Sequence, residues 1–251
     1  MLGSLFRSKP GVRPPSVPDD VRVYAIGDVH GCDELLGQLL DRIDADDAGR
    51  APKRTILVFL GDLIDRGDRS AAVVDRVLRL TAGAREVRVL AGNHEELLLR
   101  TLSGDREAAK IFVRAGGRET VLSYGVAQAD YDRADFDQLP DVIRAHMPSG
   151  HIAFLESLED LIEVGDYAFV HAGIRPGVPL QEQKPEHLRW IRNGFLEHKL
   201  PHPRIIIHGH TITEAVDERP NRIGIDTGAY ASGKLTAIGL EGGERWFIAT
   251  A

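Results

Sequence analysis

Short apolar runs that stop at polar turns set the rhythm of the first hundred residues. Val21-Arg22-Val23-Tyr24-Ala25-Ile26 ends at Gly27-Asp28, Thr55–Leu60 ends at Gly61-Asp62, and Val87–Leu90 is followed by Gly92-Asn93-His94. Apolar runs of this length bounded by glycine read as buried strands. Between them the spacing becomes helical. Leu35, Leu36, Leu39, Leu40 and Ile43 form one stripe, and Val73, Val74, Val77 and Leu78 form another. Asp33 and Ser70 stand where N-caps are expected. Residues 45–53, with Gly49 and Pro52, read as a loop. The alternation of strand, polar turn and helix predicts an α/β sheet with helices on its faces.

The pattern changes after Glu95. To about Leu161 the chain reads as mainly helical, interrupted at Gly116-Gly117 and Pro140. Strands return at Tyr167–Val170, ending at His171, and at Arg204–Ile207, ending at His208-Gly209-His210. Further strands are expected near 222–225, 235–240 and 245–249, so the C-terminal third is expected to form a second sheet. Residues 1–20 carry four prolines and no periodicity, and they read as a flexible basic tail. Order is expected from Val21, with residues 21–251 as one domain.

Composition narrows the classes. The chain has 251 residues, 43% apolar and 27% charged, with a formal net charge of −7. That balance suits a globular domain and argues against a binder of nucleic-acid polymers, which needs a basic face. The one cysteine, Cys32, cannot build a disulfide framework. No apolar stretch is long enough for a membrane span and no secretory signal is evident, so no membrane partner and a cytoplasmic location are expected.

The candidate chemistry lies at the strand ends. Asp28 with His30, Asp62, Asn93 with His94, His171, and His208 with His210 each follow an apolar run. A lone histidine or Gly-Asp there is usually structural. Repetition at five strand ends, on the edge where open α/β sheets bind ligands, points instead to a metal centre. Carboxylate, imidazole and amide oxygen together suit Mn²⁺, Fe²⁺ or Zn²⁺ better than a calcium cage or a thiolate zinc site.

The segments GDVHG (27–31), GDLIDRG (61–67), GNHE (92–95), HAG from His171 and HGHT ending at Thr211 resemble the calcineurin-like metallophosphoesterases. Within that family they are similar to the branch of serine/threonine phosphoprotein phosphatases and diadenosine tetraphosphatases, of bacterial type. The resemblance implies a two-sheet αββα sandwich with a helical insertion. It also implies two divalent ions, most readily Mn²⁺, and attack on phosphorus by a hydroxide bridging them. By the same resemblance Asp28 and His30 hold one ion, Asp62 bridges, and Asn93, His171 and His210 hold the other. His210 is preferred over His208 because it completes the Gly-His step. His94 corresponds to the general acid with Asp65 as its orienting partner, and Arg66 to a phosphate-gripping arginine. Arg192, two residues after Trp190, is a second candidate, with Arg189 as its competitor.

Two departures refine the branch. Ile212 stands where the nuclease and phosphodiesterase branches carry a second histidine, and Asp65 where purple acid phosphatases carry a tyrosine ligand. The motifs leave the substrate open. A phosphoprotein or other phosphomonoester is the first expectation, a dinucleoside polyphosphate the alternative, and an inactive phospho-ligand module a remote third. Tyr230, after Ile225-Asp226-Thr227-Gly228-Ala229, is a candidate for the pocket border, a hairpin aromatic being the competing reading.

Overall fold

A computed structural model describes residues 13–250. Strand β1 (Val21–Ile26) leads through helix α1 (Asp33–Ala48) to β2 (Arg54–Phe59), and α2 (Ser70–Thr81) leads to β3 (Glu86–Val89). These three strands are parallel. A run of short helices follows, comprising α3 (Asn93–Leu102), α4 (Arg106–Phe112), α5 (Arg118–Ser123), α6 (Gln128–Arg133), α7 (Leu139–His146) and α8 (Ser149–Glu156). The rest of the chain holds β4 (Ile162–Val164), β5 (Tyr167–Phe169), α9 (Pro185–Trp190), β6 (Ile205–His208), β7 (Asp217–Glu218), β8 (Arg222–Gly224), α10 (Ala229–Ser232), β9 (Thr236–Glu241) and β10 (Glu244–Ala249).

The strands form two five-stranded sheets, β10-β9-β1-β2-β3 and β4-β5-β6-β8-β7. The last hairpin, expected in the second sheet, returns to the first, where β9 pairs antiparallel with β1. Strand β4 was not expected at all, being too short for its pattern to stand out.

The two-residue period of a strand sorts the core. Val21, Val23 and Ala25 of β1 meet Phe169, Ile207 and Ile223 of the other sheet. Tyr24 and Ile26 point the other way, into a core shared with Leu36, Leu39 and Ile43 of α1 and Phe112 of α4. Ala168 and Ile206 face outward onto Leu188 and Phe195. Helices, sheet, sheet and an outer layer with α9 therefore stack as an αββα sandwich. No helix among the described residues is long and apolar enough to cross a membrane.

Both expected caps fall one residue inside their helices. Cys32 and Arg69 take the N-cap positions. The Asp33 carboxylate pairs with Arg76 at 2.7 and 2.9 Å instead. The Ser70 hydroxyl accepts the Asp65 N–H at 3.0 Å, which ties α2 to the loop after β2.

The expected start of order at Val21 is also too late. Of the flexible tail read over 1–20, residues 1–12 lie outside the described residues, but Ser16 and Val17 are packed. The Ser16 N–H donates to Asp166 at 2.9 Å and the Val17 N–H to the Gly242 carbonyl at 3.0 Å. Val17 inserts its side chain between the sheets. Prolines made this stretch look unstructured; they also hold it extended, the form needed to lie along a sheet. Replacing Val17 with alanine should lower stability by about 1–2 kcal/mol, measured by urea unfolding, whereas a solvated tail would leave it unchanged.

Candidate metal centre

Every strand-end residue singled out above lies at the carboxyl edge of its sheet. Asp28 and His30 follow β1, Asp62 follows β2, Asn93 and His94 open α3 after β3, His171 follows β5, and His208 and His210 end β6 and its turn. All are buried. Parallel strands bring these ends together, which no local pattern could do.

Asp62 stands at the centre. Its carbonyl accepts the N–H groups of Val29 (3.1 Å) and His30 (2.8 Å), hanging the first loop on the second. Its N–H donates to Glu95 Oε2 at 2.9 Å, and its Oδ1 accepts the His94 N–H at 3.1 Å. Oδ2 then faces three imidazoles, with Nε2 of His171 at 3.4 Å, of His30 at 3.5 Å and of His94 at 3.9 Å. His30–Asp62–His94 and Asp62–His171–His210 form two donor clusters that share this carboxylate, each spanning no more than 4.8 Å. Asp28 belongs to neither cluster. Its Oδ2 accepts the His210 N–H at 3.0 Å and its Oδ1 has no hydrogen-bond partner.

Hydrogen bonds fix which ring nitrogens carry lone pairs inward. His30 Nδ1 donates to the Ile64 carbonyl and His171 Nδ1 to the Leu60 carbonyl, both at 2.8 Å. With the proton on Nδ1, the His171 Nε2 lone pair meets Asn93 Oδ1 at 3.0 Å and His210 Nδ1 at 3.3 Å. Burial drives the His30 pKa down to about 3. Burial and the neighbouring His171 drive His210 down as well. Both therefore remain neutral, the state in which an imidazole can ligate a metal. At His171 burial is opposed and outweighed by the Asp62 charge, which raises the pKa, so the local field favours a positive charge. Burial, with Asp226 and Asp62 close by, raises the Asp28 pKa far above the carboxylate range. Lone pairs facing lone pairs among buried carboxylates fit divalent cations.

The backbone is strained only around this centre. His30, Asp62, Asp65, Arg66 and His210 hold φ between 45° and 72°, and no other non-glycine residue among those described has positive φ. Such conformations cost about 1 kcal/mol or more each and persist where neighbours impose them. Gly92 is required for a related reason: a Cβ there would sit 2.0 Å from Asp62 Oδ1.

The alternatives left open on sequence separate here. The His208 Nε2 lone pair is taken by Arg222 at 3.2 Å and its Nδ1 bonds the Gly209 carbonyl, so it turns away from both clusters. Arg189 is held by Asp160 and Glu96, whereas Arg192 donates to the His210 carbonyl at 3.2 Å. Arg66 reaches the centre directly, donating to Nε2 of His30 (2.8 Å) and of His94 (3.0 Å). Cys32 Sγ lies 3.4 Å from the His30 carbonyl oxygen, and burial pushes its thiol pKa to about 11, so it is no thiolate ligand.

Residues 21–231 match the model of the calcineurin-like phosphoesterases. The chain belongs to this family. Among curated relatives, a symmetrical bis(5'-nucleosyl)-tetraphosphatase of Paracidovorax citrulli is 32% identical over 70% of this chain and 48% of its own. The chain thus spans about half the length of such relatives. An asymmetrical bis(5'-nucleosyl)-tetraphosphatase of Anoxybacillus flavithermus is 27% identical over 85% of this chain and 88% of its own. Two solved structures share the fold. A candidate diadenosine tetraphosphatase has a TM-score of 0.65 at 22% identity, covering 94% of this chain and 98% of its own. A cold-active protein tyrosine phosphatase has a TM-score of 0.61 at 21% identity, covering 92% and 81%.

Several residues of this calcineurin-like centre were given no role on sequence. Glu95 accepts N–H groups from Asp62, Leu63 and Gly92 at 2.8–2.9 Å, fastening the second loop to the third. Burial and the nearby Asp62 lift its pKa to about 7. Thr120 of α5 donates to Asp65 Oδ1 at 2.6 Å and accepts the Asp65 N–H at 2.8 Å. The Gly116 carbonyl takes the Arg66 N–H at 3.1 Å, and a side chain at Gly116 would strike Arg66. The helical insertion therefore braces the Asp65-Arg66 loop. Its one sequence signal was Gly116-Gly117, which read as a mere interruption.

His94 Nδ1 lies 2.6 Å from Asp65 Oδ2. Burial alone would lower the His94 pKa, but Asp62 and Asp65 outweigh it and the net shift is upward. The raised His94 pKa contributes stability that is full below the unfolded histidine value of about 6.5 and is lost as pH rises through the higher folded value. Titration of the His94 ring by NMR should give a midpoint above about 6.5, and Asp65→Asn should bring it down. An unmoved midpoint would mean that Asp65 does not set the state of His94.

Proposed function

We propose that this protein is a metal-dependent phosphoesterase that hydrolyses dinucleoside tetraphosphates such as diadenosine tetraphosphate. The observation that carries the substrate class is the similarity, over 70% and 85% of the chain, to bis(5'-nucleosyl)-tetraphosphatases. It moves the reading away from the phosphoprotein first expected from the motifs. The likeness to a tyrosine phosphatase lies at 21% identity and speaks only to fold.

Asp28, His30 and Asp62 would hold one divalent ion, and Asp62, Asn93, His171 and His210 the other, Mn²⁺ being favoured by this mixed donor set. The ions supply Lewis acidity, which polarises phosphoryl oxygens and makes water a competent nucleophile near neutral pH. The chain's own groups do the rest. The Arg66 guanidinium, now on the imidazoles of His30 and His94, turns to the phosphoryl oxygens, where its planar fork fits two of them. Arg192 enters from the His210 side. His94, released from Arg66 and held by Asp65 through Nδ1, carries a proton on Nε2 and gives it to the leaving oxygen. A phosphate leaving group is far less basic than a serine alkoxide. The acid therefore matters less for a phosphoanhydride than for a phosphoserine.

Purified protein with Mn²⁺ should cleave diadenosine tetraphosphate with a kcat/KM at least tenfold above that for a phosphoserine peptide, tenfold being about 1.4 kcal/mol. The products, two ADP or ATP with AMP, report the position of cleavage. Asp62→Asn keeps an oxygen for the His94 N–H but loses the one shared by both clusters. It should cut kcat by at least about 100-fold without unfolding the protein. Turnover of the phosphopeptide with none of the dinucleotide would restore the phosphoprotein reading.

A further inference from the structure

We infer that Tyr230 and the cleft beside it form a stacking site for one nucleobase of the substrate. The inference rests on the dinucleotide reading above and adds a specificity-determining residue to it. Tyr230 is 41% exposed, one of few large hydrophobic side chains so placed among the described residues. Its ring meets the His30 ring edge-on, with centroids 5.5 Å apart, and lies under the Arg66 guanidinium at 4.8 Å. An exposed aromatic side chain thus touches both a candidate ligand and the candidate phosphate grip.

The residue stands on a rigid mount. Gly228 and Gly233 bracket α10 in left-handed conformation. The Asp226 carboxylate accepts the Gly228 N–H, and the Ser232 hydroxyl donates to the Thr227 and Gly228 carbonyls. The phenol itself makes no hydrogen bond with any described residue. The backbone is therefore fixed while the ring stays 41% exposed, an arrangement that loses little entropy when a planar group settles on it.

Beside the ring lies a cleft of about 420 Å³, lined by Gly31, Leu35, Gly67, Arg69, Ala229 and Tyr230 among others. Gly31 and Gly67 directly follow His30 and Arg66, so the cleft borders the two loops that carry those residues. Exposed Glu34 and Asp68 at its lining make it unsuited to a further phosphate. A neutral planar base fits where a phosphate does not. Ile212, 46% exposed and packed against Gly228, extends the apolar rim to the His210 side. With one phosphoryl group at the centre, a flanking nucleoside can lay its base on Tyr230.

Calorimetric titration of the Mn²⁺-loaded protein with AMP and with ribose 5-phosphate isolates the base from the phosphate and needs no turnover. AMP should bind at least about fivefold tighter, the low end of base–aromatic stacking. Tyr230→Ala should erase the difference while Tyr230→Phe and Tyr230→Trp keep it. In the wild-type protein loaded with diamagnetic Zn²⁺, contacts between adenine protons and the Tyr230 ring should appear in NOE spectra, which covers the case of an alanine variant that fails to fold. Equal affinities for the two ligands, no AMP binding, or an AMP advantage that survives Tyr230→Ala would overturn the inference. A Tyr230-dependent preference for AMP in a protein that leaves diadenosine tetraphosphate intact would instead overturn the proposed function and leave the stacking site standing.

Discussion

Asp62 commits nearly all of its polar groups to holding the loops around it. Its carbonyl carries Val29 and His30, its N–H goes to Glu95, and Oδ1 takes the His94 N–H. One oxygen remains, and it faces imidazoles from both clusters. The same bonds that fix the oxygen also force φ of 50° at Asp62 and 45° at His30. Strain, burial and an unshared lone pair thus have one origin, the convergence of three parallel strand ends on a single residue. The core between the sheets supplies the stability against which those strained loops are held.

Around this hub the site is built in shells that come from distant parts of the chain. Glu95 fastens the β2 loop to the start of α3. Ser70 and Thr120 hold Asp65, which holds His94. Asp226 secures the turn that carries Tyr230. The helical insertion is part of this bracing, since without Gly116 and Thr120 the Asp65-Arg66 loop would lose two of its anchors. Positioning, charge and access are therefore divided among separate elements, and a change in one should be readable in a different observable from a change in another.

Much of this was legible beforehand. The three parallel strands, α1 and α2 follow from apolar spacing, and the candidate donors follow from the repeated placement of Asp, Asn and His just after those runs. Residues whose role depends on a contact across the fold were not. Glu95 sits inside a quoted motif, yet only the structure shows its carboxylate reaching back to Asp62. Thr120 carries no signal, because its partner is 55 positions away. Left-handed His30, Asp62 and His210 run against local preference, so no local rule predicts them. The return of β9 and β10 to the first sheet was hidden too, since alternation shows that a strand has a buried face but not which sheet provides it. Ser16 and Val17 failed for the opposite reason, local composition suggesting solvent where a tertiary groove was waiting.

The proposed chemistry requires that two metal ions share Asp62. Crystals grown with Mn²⁺ and measured at the manganese absorption edge test it most directly. Two anomalous peaks are expected, one on each side of the Asp62 carboxylate, the first contacting His30 and the second His171 and His210. A single peak, or peaks that leave Asp62 uncoordinated, would contradict it.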